Sequence, residues 1–228
     1  MGKLNRINLK QNGDNPQLEA SIESMEIAYR MQTEGLEVFD VSKESDKTRA
    51  RYGDGDFGRG CLMALRAVER GVRMVQVYFG NSQPWDNHED ILNHRELAGL
   101  TDGPVAALLS DLKSRGLFHD TLVMLGGEFG RTPVVENSGI VRVHNGRDHN
   151  SYGFSMLLAG GGVRGGITYG ATDDFGFKAV DKPVHIHDLH ATILYLLGLD
   201  HTRLTYRYSG RDFRLTDVEG NVVKDIIS

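Results

Sequence analysis

Near the start of the chain apolar residues recur at helical spacing. Leu18, Ile22, Met25 and Tyr29 share one face, Asn15 stands where a cap would, and Pro16 suits the first helical position. This spacing predicts a helix within the first forty residues, ending at Gly35. Residues 40–56 (DVSKESDKTRARYGDGD) are polar, charged and Gly-containing, and predict a surface connection. From Phe57 onward the pattern alternates helix and strand. A helix through Leu62, Leu65 and Val68 ends at Gly71, and the apolar run Val72 to Phe79 reads as a strand. Asp102 is the expected cap of a helix whose buried face is Val105, Leu108, Leu109 and Leu112, and Gly116 stops it before a strand from Thr121 to Leu125. A third strand, Phe154 to Ala159, enters the Gly-rich turn 160–166. A last helix carries Leu189, Ile193, Leu196 and Leu197 to Gly198, with Asp188 as its cap. Alternation of this kind predicts an α/β fold: a mainly parallel sheet flanked by helices.

The chain has 228 residues, enough for one such domain with its own core. No apolar run approaches the roughly 20 residues a bilayer demands, so no membrane span is expected. The net charge of -5, with Lys and Arg scattered, argues against nucleic acid as a partner. Cys61 is the only cysteine, which excludes an internal disulfide, and its place beside Leu62 in a helical pattern favours a buried thiol over a nucleophile. The start, Met1-Gly2-Lys3-Leu4-Asn5, lacks the apolar core of an export signal.

Loops beyond strand ends are where such folds gather chemistry. After Val72–Phe79 comes Gln83-Pro84-Trp85-Asp86-Asn87-His88, with a carboxylate and an imidazole two positions apart, so that on an extended loop they point the same way. A turn in which Asp86 bonds backbone amides and His88 is a bystander explains the same residues; Trp85 reads as packing for the loop. After Thr121–Leu125 comes Gly126-Gly127-Glu128-Phe129-Gly130-Arg131, where Glu128 could bind metal and Arg131 an oxyanion, or the two could form a local ion pair. A third cluster, His144-Asn145-Gly146-Arg147-Asp148-His149-Asn150, offers two imidazoles and a carboxylate. In the fourth, His185-Ile186-His187-Asp188-Leu189-His190, capping favours a structural Asp188, with His187 and His190 left as candidate ligands or supports of ligands.

The segments WDNH (85–88), TLVMLGGEFGRTP (121–133), GRDHN (146–150), LLAGGGVRGG (157–166), HDLHATILYLLGLDH (187–201) and GRDFRLTDVEGNVV (210–223), with YRMQTEG (29–35), together resemble the DUF1501 proteins, a sulfatase-like branch of the alkaline phosphatase superfamily. The resemblance implies an alkaline-phosphatase-like fold incomplete at its N-terminus. Residues 1–228 would be the C-terminal part of a single domain, with a helix and polar connection over 1–56 and an α/β core over 57–228. It implies one divalent-metal site from Asp86, His88 and His149. Glu128 would serve a second site, where Phe129 replaces the superfamily's His and recruitment of Asp148 or His190 would be needed. The ion could be Zn, Mn, Mg or Ca. The implied reaction is hydrolysis of a sulfate or phosphate ester by a nucleophile from a preceding portion, leaving this chain alone inactive, and the implied location is periplasmic or exported. The competing expectation is a non-catalytic metal-binding or structural module. An exposed sheet edge would also allow self-association.

Overall fold

The structure, a computed structural model, describes residues 15–33, 35–136 and 145–228. Met1 to Asn5 and His144 lie outside the described residues. Asn15 caps the first helix, α1 (Pro16–Thr33): its Oδ1 accepts from the amides of Gln17 and Leu18, each at 3.2 Å. On the apolar face expected to seek a partner, Leu18, Met25 and Tyr29 are all exposed. A short helix, α2 (Gly35–Phe39), follows.

Residues 40–56 are not a plain connection. Asp40 caps a 3-10 turn at Val41–Lys43, and Ser45 caps α3 (Asp46–Tyr52) through the amide of Thr48. Helix α4 (Asp56–Glu69) closes at Arg70, and Gly71 at φ 81° turns the chain as its sequence predicts. The next helix, α5 (His94–Ser114), begins eight residues ahead of Asp102, which lies exposed inside it, and carries Pro104. These three helices make the main core from Tyr52, Cys61, Leu62, Leu65, Ala107 and Leu112. Burying each of its leucines is worth about 1.5–3 kcal/mol. Burial also pushes the Cys61 thiol up to about 11, consistent with an inert core residue.

Charges lock this core to the preceding segment. Arg66, 4% exposed, donates to the carbonyls of Val38 (3.1 Å) and Glu37 (2.6 Å) and to Glu44 Oε1 (2.5 Å). Buried Asp111 accepts from the Tyr52 hydroxyl at 3.0 Å and from Arg51. Each buried charge therefore has its partners, the condition under which burying one is tolerable.

The expected mainly parallel, alkaline-phosphatase-like sheet flanked by helices is overturned. Among the described residues the strands form four two-stranded antiparallel sheets: β1 (Val123–Leu125) with β4 (Leu157–Ala159), β2 (Gly130–Arg131) with β3 (His149–Asn150), β5 (Ala171–Thr172) with β6 (Ala179–Asp181), and β7 (Thr205–Tyr208) with β8 (Arg211–Arg214). Val72–Phe79 joins no ladder, and the chain bends at Arg73. Val77 packs on the helical core, whereas Met74 and Tyr78 are 83% and 75% exposed. Strand-forming side chains were legible; the neighbours that a ladder requires were not.

The last helix, α6 (Ile186–Leu196), starts at His185 and ends ahead of Gly198 at φ 76°. Asp188 serves the capping box from its third position: its carboxylate accepts from the His185 amide at 3.2 Å, while His185 Nδ1 accepts from the His187 amide at 3.2 Å. Among the described residues no helix is long and apolar enough to cross a membrane.

Candidate metal centre

The loop after Val72–Phe79 hangs from the helical core by its aromatics. Phe57, Phe79, Trp85 and His94 follow one another with ring centroids 5.1, 5.4 and 5.4 Å apart, and His94 Nε2 lies 2.8 Å from the Trp85 carbonyl. Trp85 thus packs the loop, and the Asp86 amide donates to Gln83 O at 3.0 Å. On the other side β2 pairs with β3 so that Arg131 stands opposite His149, which brings both side chains to one face.

Residues 145–147 bridge the two halves. Arg147 N donates to Asn87 O and Asn145 N to Glu89 O, both at 3.3 Å. Between them Gly146 has no room for a side chain: a Cβ there would lie 1.7 Å from the His88 carbonyl oxygen. Glycine is what lets the loop carrying His149 approach the loop carrying Asp86 and His88.

The result is a tight triangle. His88 Nε2 and His149 Nε2 each lie 2.9 Å from Asp86 Oδ1 and 3.2 Å from one another. Arg131 adds a guanidinium nitrogen 2.6 Å from the same oxygen. His88 Nδ1 lies 2.6 Å from Glu136 Oε2. The hydrogen bond with His149 and the adjacent Arg131 hold the Asp86 carboxyl down to about 2, against partial desolvation. Glu136, with the Asp86 charge adding, raises the His88 imidazole above its ordinary value.

Four expected residues therefore meet here, Asp86, His88, His149 and Arg131. Asp148 is adjacent: its carboxylate joins His88 and Glu136 in a second convergent group and accepts from the His149 amide at 2.7 Å. Glu128 and His190 are both exposed and belong to none of the convergent groups. Phe129 packs against the His149 ring, with centroids 4.4 Å apart and planes tilted by 43°. Glu136 was missed because it sits in a stretch with no ligand motif, 48 residues from the imidazole it orients.

Three atoms about 3 Å apart suit a shared divalent ion. At roughly 2.1 Å from each tetrahedral ligand, neighbouring ligand atoms stand about 3.4 Å apart, which only a small outward shift would supply. The carboxylate on the far nitrogen of His88 is the support that metal-bound imidazoles commonly have.

A family model described as a protein of unknown function (DUF1501) matches residues 1–227. The chain belongs to the DUF1501 family. No curated protein and no solved structure matches this DUF1501 chain.

Proposed function

We propose that Asp86, His88 and His149 hold a divalent metal ion in a hydrolytic centre for sulfate or phosphate esters, with Arg131 placed to bind the ester's oxyanion. The convergence of the three ligand atoms on one point carries this reading. Two Nε2 atoms facing each other at 3.2 Å can share only one proton, whereas a cation takes a lone pair from both. Such an ion would supply Lewis-acid polarisation of an ester oxygen. The chain's own residues would orient the ester: Arg131 can offer two parallel donors to a tetrahedral oxyanion, and Glu136 and Phe129 fix the rings of His88 and His149. The sulfatase-like resemblance supports the substrate class by sequence alone.

The second reading is a metal-binding or ion-paired structural module without turnover. It draws on the Arg131 contact, because a guanidinium 2.6 Å from Asp86 Oδ1 already neutralises the charge a metal would use. A third proposal, association of chains, draws on the outer edges of the two-stranded sheets among the described residues, each strand being paired on one side.

The test is zinc and manganese binding to the metal-stripped protein by calorimetry, followed by turnover of an aryl sulfate and an aryl phosphate with metal supplied. Loss of one bound equivalent in Asp86→Ala and in His149→Ala is the expected outcome. Equal binding in the wild type and both variants would remove the metal centre. Binding without turnover would favour the structural reading.

A further inference from the structure

A second cluster lies at the start of α6, apart from the centre just described. Glu219 Oε2 is 3.7 Å from His185 Nδ1 and 3.5 Å from His187 Nδ1, and the two rings are 4.8 Å apart between centroids. The three side chains offer ligand atoms all within 4.8 Å of one another. Among the described residues, His187 Nδ1 is the one buried side-chain nitrogen or oxygen with no hydrogen-bond partner. A buried, unsatisfied imidazole nitrogen is costly unless something occupies its lone pair.

The turn that brings Glu219 here is built for that approach. Gly220 sits at φ 101°, and a Cβ on it would lie 2.9 Å from Thr216 Cβ and 3.2 Å from the His187 carbonyl oxygen. The turn is pinned on both sides: Glu219 N donates to Thr216 O at 3.0 Å, and Asn221 N donates to Asp188 Oδ1 at 2.6 Å. His185 and Glu219 also line a cavity of about 330 Å³, shared with His201 and Arg214.

We propose that His185, His187 and Glu219 form a second divalent-metal site of the zinc type, open on the cavity side to a solvent or anionic ligand. Two imidazoles and one carboxylate are the ligand set of a zinc site that keeps a coordination position free. The separations of 3.5 and 3.7 Å match the edge of about 3.4 Å expected between tetrahedral ligands. The positive end of α6 opposes a cation there, and the carboxylates of Glu219 and Asp188 offset it. Metal capture exchanges the His185 capping bond for a coordinate bond. It clamps the 219–221 turn to the helix. The site is independent of the Asp86 centre, so either can fail alone.

The test uses the full chain carrying Asp86→Ala and His149→Ala, which removes the other centre. Zinc uptake is measured by calorimetry, and the ligand field by visible absorption of the cobalt form. One equivalent of zinc, with the intense absorption of low-coordinate cobalt, is expected; adding His187→Ala or the isosteric Glu219→Gln should abolish both. Should the double variant not fold, the wild type and Glu219→Gln are compared directly, and the single substitution should remove one equivalent. No zinc bound by the folded double variant overturns the proposal. Uptake unchanged by both His187→Ala and Glu219→Gln overturns it equally.

Discussion

The helical region and the loop region solve the problem of burial in opposite ways. Helices α3, α4 and α5 satisfy their own backbones and spend side chains on a common core, in which Leu62, Leu65 and Leu112 are all but inaccessible. Among the described residues from 120 onward, helix α6 apart, the backbone is bonded through short two-stranded ladders, turns and side chains, and Phe175, Tyr206 and Leu215 are left largely in solvent. Stability is therefore concentrated in one region and candidate chemistry along the border with the other. The aromatic chain from Phe57 to His94 is the mechanical joint between them.

The largest test of that division is Leu65→Ala, which deletes a side chain 0% exposed. It should cost about 2–5 kcal/mol. Phe175→Ala, at 76% exposure, should stay within about 0.5 kcal/mol. Urea melts of both decide the matter, and equal losses would mean that the loop region is packed as tightly as the helices. Next comes Gly146→Ala, whose new Cβ collides with the His88 backbone; a loss of about 1–3 kcal/mol is expected, with metal affinity falling too. Unchanged affinity would show that the two loops need not approach as closely as they do here.

Smaller still, Glu136→Gln should leave the melt unmoved and weaken metal binding about 10- to 100-fold; full affinity would reduce Glu136 to a bystander. The smallest effect concerns pH. Burial works to raise the Glu44 carboxyl, but hydrogen bonds from Arg66 and Arg115 outweigh it and hold it below the usual carboxylate value. Its contribution is present above the unfolded value of about 4.5 and is lost as pH falls through the lower folded value. Acid titration of the melting temperature should show a shallower fall for Glu44→Gln than for the wild type. Parallel curves would place the acid-sensitive carboxylates elsewhere.

The same division explains what could be read from sequence. Helices α4 and α6, the C-terminal half of α5 and the stops at Gly71, Gly116 and Gly198 were legible because spacing and capping are local. The start of α5 was hidden by Gly99, Gly103 and Pro104, which look like breakers but sit inside the helix. Helix α3 was hidden by composition, since a polar segment anchored by Tyr52 offers one large apolar residue where a periodic face needs several. The parallel sheet failed because Val72–Phe79 has strand chemistry and no strand beside it. At the site, Asp86, His88 and His149 were legible as ligand types on loops. Only geometry could add Glu136 and set Glu128 and His190 apart.

Trp85, placed one residue before Asp86 and wedged between Phe79 and His94, is the chain's only tryptophan. Its position makes the molecule its own optical gauge. Near-ultraviolet excitation selects a single indole lying at the joint, so emission wavelength and quenching report that border alone. A ligand that draws the Asp86 loop inward changes the light without any added dye.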